Sequence, residues 1–356
     1  TQYDKRDEQC PHEGIMDNET LSCLYHLAPD LMESLRLRAT VLERISALQP
    51  VGRRALSQRL KVPEREVRSI CDALKDDGYL AIGQSGMSVS EKGVAFLPSL
   101  RELTQTMNGI TSLERSLSRA LNVGRVCIVA GDADSDPDVL REAGRAAARH
   151  LIALLKNGMT LTVSGGTSVA AVAGAMPRGV HPLDVHVLPA RGGMGMAVET
   201  QAGTLAAEIA HALGGRHSLL HVPDSVSQDA LQALLKLPEV SEPIRALHHT
   251  DVLLYGIGRA EVMAHNRSLP EAEISSILSR GAVGEAVGNY FDAAGRLVYE
   301  ASEIGLNGEE LRQVPHIVAI AVGRVKARAV LAVMRHHHHE LLVLDEGAAR
   351  EILSLL

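Results

Sequence analysis

The chain has 356 residues and a formal net charge of −7, so it is longer than one ordinary domain and is not uniformly basic. Hydrophobic residues make up 46% of it and charged residues 22%, the balance of a globular protein with a sizeable core. No apolar run reaches the roughly 18 residues of a membrane span, and residues 1–30 lack the basic start and apolar middle of a signal peptide. We therefore expect a cytoplasmic protein of two domains with no membrane partner.

Charge is unevenly distributed along the chain. Lysine and arginine minus aspartate and glutamate give −5 for residues 1–30, +3 for residues 31–100 and −5 for residues 101–356. The polar, acidic first segment is predicted to be a flexible arm, because it has little apolar surface to bury. The four cysteines form no Cys-x-x-Cys pair, so neither a disulfide framework nor a thiolate zinc site is predicted.

Residues 31–98 have the pattern of a winged helix-turn-helix. Apolar residues at three- and four-residue steps predict helices over 31–49, 53–60 and 64–78, with Pro63 as a first helical position and Gly78 as the stop. Two short apolar stretches on either side of a Gly-Gln-Ser-Gly turn then predict a β-hairpin. In a winged helix-turn-helix that binds DNA, the last helix before the hairpin lies in the major groove.

The arginines of this segment suit DNA contacts. Early residues of the recognition helix reach base edges, and flanking cations hold phosphates. The predicted DNA-binding residues are Arg53, Arg54, Arg65, Glu66, Arg68 and Ser69. The alternative is a module for protein contacts whose arginines form a solvated face.

A helical linker is predicted over residues 99–122. Its apolar residues recur close to a period of 3.5, at Leu100, Leu103, Met107, Ile110, Leu113, Leu117 and Leu121. Asn108-Gly109 interrupts this pattern, and a bend is predicted there. Such a seam suits either pairing with a second copy, in a homo-oligomer such as a dimer or tetramer, or packing on the chain's own C-terminal domain. The residues alone leave both interpretations open.

Residues 123–356 alternate between apolar strands and helices, which predicts a mainly parallel, Rossmann-like α/β sheet covered on both faces. The predicted strands cover residues 125–130, 159–163, 184–190, 218–222, 251–258, 316–323 and 340–345. Ligands of such sheets bind at the carboxyl ends of the strands.

A glycine-rich turn follows the second of these strands. Gly165 and Gly166 allow a sharp turn and close approach of backbone N–H groups, and Thr167 and Ser168 add hydroxyl donors where a helix begins. This pattern is typical of a phosphate site, although it matches neither the Walker motif nor a dinucleotide fingerprint, and a simple tight turn is the alternative.

Cations follow two other strands. Arg191 precedes two glycines, and Lys326 falls on the predicted first turn of a helix. A cation is unfavourable next to the positive end of the helix dipole unless an anion lies nearby. Together with the glycine-rich turn they suit a phosphorylated small molecule. No cofactor and no metal site is predicted: successive residues point in different directions, so the four histidines at 336–339 are interpreted as a surface turn.

Several stretches of the C-terminal half, in this order, resemble the effector-binding domain of SorC/DeoR-type bacterial transcriptional regulators, in particular those of glycolytic genes. They are SGGTS, VLPARGG, VETQAGTLAAEIA, LLHVPD, YGIG, AVGEAVGNYFDAAGRLV, VGRVKARAV and LVLDEGAAREIL. The resemblance covers roughly residues 120–356, and the basic segment lies where that family carries its DNA-binding domain. It implies a repressor whose larger domain has the fold of sugar-phosphate isomerases and serves as a sensor.

The resemblance also implies an effector and its ligands. The expected effector is a phosphorylated sugar, fructose 1,6-bisphosphate, with one phosphate on the glycine-rich turn, Arg191 and Lys326. Gln201 and Glu285 are expected to contact sugar hydroxyls, and Arg267 the second phosphate. Two departures weaken the case for a bisphosphate over a monophosphate: Asn266 stands where an arginine is expected, and Arg259 stands where an acidic residue is usual.

Other interpretations remain at this stage. Without the resemblance, Glu285 suits a pair or cap within the core, Gln201 a helix face and Arg267 a solvated loop. An isomerase or deaminase would use Glu285 as a general base assisted by His221, although the residues suggest no further acid–base partner. A pure assembly protein would use the leucine seam and leave the phosphate-binding pattern unexplained.

Overall fold

The computed structural model describes residues 24, 27–107, 109–177, 182–192, 197–220, 222, 228–267, 269–300 and 305–356. The chain divides into two compact units, one up to Thr111 and the other from Ser112 onward. Most of the predicted flexible arm over residues 1–30, and also His221, lie outside the described residues.

The N-terminal unit has the predicted order of three helices and a hairpin. Its elements are α1 (Pro29–Leu48), α2 (Arg53–Leu60), α3 (Glu64–Asp76), β1 (Leu80–Gly83), β2 (Gly86–Val89) and α4 (Glu91–Met107). The two strands pair antiparallel around a two-residue turn. The core contains Leu42 and Ile45 of α1, Leu56 of α2, and Val67 and Ile70 of α3. The alternation of buried and exposed residues predicted from the sequence therefore gives a winged helix-turn-helix.

The turn between α2 and α3 differs by one residue from the prediction. Lys61 adopts a left-handed backbone with φ 55° and ends α2, and Pro63 precedes α3 as its N-cap rather than occupying the first helical position. The extended ψ of 136° at Pro63 turns its carbonyl toward the helix, where it accepts hydrogen bonds from the N–H groups of Glu66 and Val67. Gly78, with φ 80°, follows the end of α3.

The leucine seam runs along two helices. Helix α4 already begins at Glu91 and contributes Leu97 and Leu100 to the core of the N-terminal unit, while α5 (Ile110–Leu121) begins after the break at residues 108–109. Asn108 itself lies outside the described residues. Leu113, Leu117 and Leu121 of α5 are buried within the single chain, which favours packing on the chain itself over a seam free for a second copy.

The C-terminal unit is built on a parallel sheet with strand order β3-β13-β12-β7-β4-β5-β6. The strands are β3 (Val123–Val129), β4 (Thr160–Val163), β5 (His186–Pro189), β6 (Arg216–His217), β7 (Val252–Gly256), β12 (His316–Ala321) and β13 (His339–Asp345). Every pairing in this sheet is parallel, which confirms the predicted α/β class. Strands β7 and β12 are almost wholly apolar and buried, and β4 is buried beyond Thr160, as expected for a sheet covered on both faces.

Helices connect and cover these strands. They are α6 (Asp138–Leu154), α7 (Thr167–Gly174), α8 (Ala202–Leu213), α9 (Gln228–Leu234), α10 (Pro238–Leu247), α11 (Ala260–Asn266), α12 (Glu271–Ser279), α13 (Gly308–Gln313), α14 (Ala327–Met334) and α15 (Glu346–Leu355). The largest buried cluster joins α6, α7 and α8 to the central strands, with Leu151, Val172 and Ile209 among its members.

One predicted strand is misplaced. The apolar run over residues 218–222 was expected to pair in the sheet, but β6 covers the two preceding residues, Arg216 and His217, which pair with β5. The Ser218 N–H still donates to the Val187 carbonyl at 3.2 Å, and the chain then leaves the ladder. Leu220 is buried there without strand pairing, so its apolar character reflects packing.

A second, antiparallel sheet was not predicted. It has the order β11-β10-β9-β8 and lies in the sequence between β7 and β12. Its strands are β8 (Gly258–Arg259), β9 (Ala282–Ala286), β10 (Asn289–Asp292) and β11 (Leu297–Glu300). Gly258, Glu285, Tyr290 and Tyr299 form one row of paired residues across it. This small sheet continues directly from the carboxyl end of β7, where a ligand site of an α/β sheet is expected.

Candidate functional site

The candidate site lies at the carboxyl ends of β4 and β7, two neighbouring strands after which the chain continues in opposite directions. From β4 the chain continues to β5 on one side of the sheet, whereas from β7 it continues through the small sheet to β12 on the other side. Such a change of direction leaves a crevice at the carboxyl ends of the two strands. The glycine-rich turn follows β4, Gly256 ends β7 and Gly258 begins β8, so glycines lie on both sides of the crevice.

The glycine-rich turn requires both of its glycines. Gly166 has φ 112°, which is unfavourable for residues with a side chain, and a Cβ on Gly165 would lie 2.6 Å from the carbonyl oxygen of Thr200. The Gly166 N–H donates to that same carbonyl at 2.8 Å, so its amide is used inside the protein. The groups left for an anion are the N–H groups of the first turn of α7, at Thr167 and Ser168, which have no intrahelical acceptor.

Gln201 lies directly beside this turn. It is the N-cap of α8, its side chain is half-buried, and it stands between Thr200 and Ala202, whose backbone atoms contact Gly165. The turn predicted to bind a phosphate and the glutamine predicted to contact sugar hydroxyls are therefore neighbours in space, although 33 residues or more separate them in the sequence.

A second cluster is formed by opposite charges on the small sheet. Glu285 is 1% exposed, and its Oε1 accepts hydrogen bonds from Arg267 Nη2 at 2.7 Å and from the Gly288 N–H at 2.5 Å. The Arg267 side chain, at the C-cap of α11, is 15% exposed. The alternative of a solvated Arg267 is wrong, and the alternative of a Glu285 paired within the core describes this structure correctly. A buried pair of this kind is costly to desolvate, which makes it weak evidence for stability alone.

Arg191 approaches the same cluster from β5. It is 7% exposed and forms an isolated antiparallel bridge with Gly305. Its guanidinium lies against Gly288, where a Cβ would overlap it. Gly288 has φ 83°, so both its backbone conformation and the space beside it call for glycine.

Contacts and neighbouring positions in the chain link Ser164, the residue before the glycine-rich turn, to the charged cluster in a closed circuit, which we call the edge ring. Ser164 Oγ accepts from the Gly256 N–H at 3.2 Å, Gly258 pairs with Glu285, and Glu285 binds Gly288, which packs on Arg191. The Ala190 N–H, next to Arg191, donates to the Val163 carbonyl at 2.8 Å, next to Ser164. The edge ring consists of Ser164, Gly256, Gly258, Glu285, Gly288 and Arg191.

The surroundings of the ring are buried and charged. Burial is the main cause that raises the pKa of the Tyr290 hydroxyl, with the Glu285 carboxylate adding to it and Arg267 and Arg191 opposing it. Burial likewise raises the pKa of Tyr255 in β7, again with a contribution from Glu285. Polar interactions are stronger in such an environment than in water, which suits a ligand with hydroxyls and negative charge.

Lys326 has anionic neighbours of its own. It ends the short 3₁₀ turn Arg324–Lys326 before α14, and burial lowers its pKa while Asp345 and Asp134 raise it. Both carboxylates also accept backbone hydrogen bonds from this turn, Asp345 from Gly323 at 3.0 Å and Asp134 from Val325 at 3.2 Å. The anion expected beside this lysine can therefore be a carboxylate of the protein, and its contact with a phosphate stays a prediction.

The two departures from the family pattern lie at the surface. Asn266 is exposed at the last position of α11. Arg259 forms a 3.2 Å ion pair with Glu261, both side chains being largely exposed. Neither residue contacts the edge ring through the bonds described above.

The candidate DNA surface is the outer face of α3. Arg65, Glu66, Arg68 and Ser69 are all exposed, on the side opposite the buried Val67 and Ile70. Arg68 pairs with Glu64 at 3.2 Å across one helical turn, an exposed contact of little energetic weight.

Of the two predicted phosphate contacts on α2, Arg54 is exposed and Arg53 is half-buried. Arg53 Nη2 binds Asp72 of α3 at 2.6 Å, which gives it a structural role between the two helices. The helix-turn-helix thus presents Arg54, Arg65 and Arg68 more freely than Arg53.

The histidines at 336–339 are not the simple surface turn that the sequence predicted. His339 is fully buried at the start of β13, and Tyr255 Oη contacts Nε2 of both His339 and His337, the latter at 3.2 Å. His338 is exposed. Among the described residues no group of three or more histidine, cysteine or acidic side chains is placed to hold a metal ion. His339 is the first residue of the apolar strand β13, and it is buried together with that strand. A run of four polar residues gave no sign of this burial.

No helix within the described part of the chain is both long enough and apolar enough to cross a membrane.

Comparison with known proteins covers both units. Residues 105–354 match the family model described as "Putative sugar-binding domain", and residues 35–105 match the model of the CggR N-terminal DNA binding domain. The central glycolytic genes regulator of Priestia megaterium is 35% identical over 330 residues, 92% of this chain and 96% of the relative. That of Bacillus subtilis is 34% identical over 336 residues, 94% of this chain and 99% of the relative.

A solved structure agrees with the fold. The full-length sorbitol operon regulator SorC from Klebsiella pneumoniae matches with a TM-score of 0.66, covering 96% of this chain and all of that one at 16% identity. The named relatives are transcriptional regulators, so the interpretation as a regulator rather than an enzyme is confirmed. The chain thus belongs to the SorC/DeoR-type family of bacterial transcriptional regulators, with the DNA-binding and sugar-binding domains found in central glycolytic genes regulators.

Proposed function

We propose that the chain is a repressor of glycolytic or other sugar-metabolism genes whose affinity for its operator is controlled by a phosphorylated sugar. The observation that carries this proposal is the edge ring, which brings the glycine-rich turn, Arg191 and the Glu285–Arg267 pair to one crevice at the carboxyl edge of the sheet. The proposed organisation is a winged helix-turn-helix over 31–98, a helical linker over 99–122 and an effector domain over 123–356, assembled as a homo-oligomer.

The two clusters suit the two kinds of group on a sugar phosphate. The N-terminus of α7, with the hydroxyls of Thr167 and Ser168, offers donors to a phosphate. Glu285 and Gln201 offer a carboxylate and an amide, which accept from and donate to hydroxyls. Arg191 packs on Gly288 of the second cluster, and its neighbour Ala190 bonds to β4 next to the turn, so its guanidinium is a candidate for either part.

Fructose 1,6-bisphosphate is the proposed effector, because Arg267, bonded to Glu285, supplies a second cation at the site. Arg267 is held by Glu285, so a second phosphate must compete with that carboxylate for the guanidinium. The exposed Asn266, in place of a second arginine, reduces the positive charge available there. A sugar monophosphate is therefore the alternative.

Calorimetric titration tests the proposal directly. The purified chain is titrated with fructose 1,6-bisphosphate, fructose 6-phosphate, glucose 6-phosphate and dihydroxyacetone phosphate, and each ligand is recovered and analysed afterwards. Saturable binding of an unaltered sugar phosphate, which changes affinity for operator DNA in a parallel fluorescence anisotropy experiment, is expected. Binding without any change in DNA affinity would contradict effector control, since an effector acts only through a difference in affinity between two states.

Arg191→Ala is the variant that locates the site. It is expected to remove the response to the sugar phosphate and to leave the affinity for DNA in the absence of ligand unchanged. Arg216→Ala, which removes an exposed arginine from β6, is the matched control. An unchanged response in Arg191→Ala would place the effector elsewhere.

A further inference from the structure

Tyr290 carries a polar group that nothing described so far uses. Its side chain is fully buried, and among the residues that the structure describes its hydroxyl has no hydrogen-bond partner. Buried hydroxyls are nearly always bonded, because leaving one without a partner forfeits the hydrogen bonds it makes in water. An exception of this kind calls for a functional explanation.

The position of Tyr290 directs this hydroxyl to the edge ring. Tyr290 on β10 pairs directly with Glu285 on β9, so the two side chains project from the same face of the small sheet. Its ring is held in an apolar cluster with Ala260, Ala264 and Ile277. Glu285, Arg267 and Arg191, the charged groups of the candidate site, all act on its hydroxyl, together with the neighbouring Tyr299.

Glu285 and Tyr290 have complementary hydrogen-bonding chemistry. A carboxylate only accepts, whereas a phenol with no other partner is free to donate. A sugar hydroxyl does both, since it donates one hydrogen and accepts through its lone pairs. A single hydroxyl placed between the two side chains satisfies all three groups, and a phosphate oxygen, which cannot donate, satisfies only the phenol.

We propose that Tyr290 is a ligand-positioning residue. Its O–H donates to one hydroxyl of the sugar, and that same hydroxyl donates to Glu285. This inference rests on the proposed function and refines it, because it assigns the Glu285 side of the crevice to the sugar rather than to a phosphate. It also gives the buried phenol a partner when the effector is bound.

The test is Tyr290→Phe, measured in two ways. Calorimetric affinity for each sugar phosphate that binds the parent chain is expected to fall about tenfold, the size of one lost hydrogen bond. The thermal midpoint of the ligand-free chain is expected to stay equal or to rise, because the variant loses no hydrogen bond. If the Tyr290 hydroxyl served only the fold, the variant would keep its ligand affinity and its thermal midpoint would fall.

Tyr299→Phe is the matched control. Tyr299 lies beside Tyr290 in the same row, but its hydroxyl donates to Glu273 Oε2 at 2.7 Å. This variant is expected to lower the thermal midpoint and to change ligand affinity less than twofold.

Three results would overturn the inference. Unchanged affinity in Tyr290→Phe removes the contact, and a lower thermal midpoint of the ligand-free variant means that the hydroxyl is bonded within the protein. A loss seen with fructose 1,6-bisphosphate but not with fructose 6-phosphate means that the phenol contacts a phosphate instead. Failure of the parent chain to bind any sugar phosphate refutes the proposed function itself, which distinguishes that failure from the other three.

Discussion

Gly288 shows how a residue without a side chain can shape a site. Its φ of 83° and the guanidinium of Arg191 beside it exclude a Cβ at this position. Its N–H also donates to Glu285. One glycine therefore sets the positions of a cation and of an anion in the edge ring.

We predict that Gly288→Ala lowers the affinity for the sugar phosphate at least tenfold, because the added methyl group displaces the Arg191 side chain. Gly281→Ala is the control, since Gly281 has nearly the same φ, 81°, while its Cβ would approach no atom closer than 4.0 Å. Both variants carry the backbone strain of a left-handed residue, about 1–2 kcal/mol. Calorimetric titration and thermal unfolding of the two variants separate strain from displacement, and equal ligand affinities would contradict the role of Gly288.

Residue types in the sequence predicted some members of the site and not others. Gly165, Gly166 and Arg191 were recognisable because each follows an apolar strand that ends at the same edge of a parallel sheet. Gly288 was not, since its role depends on contact with Arg191, almost 100 positions earlier, and Tyr290 was not, since the small antiparallel sheet that pairs it with Glu285 was not predicted. Lys326 was recognised as a cation near an anion, but its carboxylate neighbours, Asp134 and Asp345, come from distant parts of the chain.

Among the elements, α3 has the clearest division of faces. Its buried residues anchor it in the N-terminal unit, while the exposed face carries Arg65 and Arg68. Because this division follows from local periodicity, it could be predicted from the sequence. The pairing of Arg53 with Asp72 depends on how α2 and α3 pack, and it could not.

We predict that Arg65→Ala weakens operator binding by about 1–3 kcal/mol if its guanidinium contacts a base, and leaves the thermal midpoint unchanged because the side chain is exposed. Fluorescence anisotropy with operator DNA measures the first effect. Arg216→Ala, an exposed arginine of the other unit, should bind DNA like the parent chain. Normal operator binding by Arg65→Ala would move the recognition contacts to other residues.

Element boundaries were harder to predict where tertiary packing competes with local pattern. The apolar run at residues 218–222 has the composition of a strand, yet the ladder with β5 ends at His217. The small antiparallel sheet also escaped prediction, because its strands have only two to five residues. Helix α1 and the central strands β7 and β12, in contrast, were predicted to within two residues, whereas α4 begins eight residues before the predicted linker.

At the scale of the whole molecule, His337 and His339 link stability to pH. Burial lowers the pKa of His337 to about 3 and that of His339 well below its usual value. Above about pH 6.5 both are neutral in the folded and the unfolded chain. Below it the unfolded chain binds protons that the folded chain does not, so the free energy of unfolding falls as the pH falls.

We predict that His337→Gln reduces this pH dependence by up to about 1 kcal/mol per pH unit between pH 6.5 and 5. Urea unfolding at several pH values measures the slope for the parent chain and the variant. His249→Gln, which replaces an exposed histidine, is the control and should keep the parent slope. A His337→Gln slope equal to that of the parent chain would show that His337 is not the group responsible.

Helix α4 has a practical consequence for exchanging DNA-binding modules between members of the family. It continues nine residues beyond Pro98, and Leu100 and Met107 on this extension pack into the N-terminal unit. The Arg36 guanidinium also donates to the Met107 carbonyl at 3.1 Å. A chimera joined at the end of the winged helix-turn-helix pattern would therefore cut through a folded core, whereas a junction at residues 108–109 would transfer the module with all of these contacts.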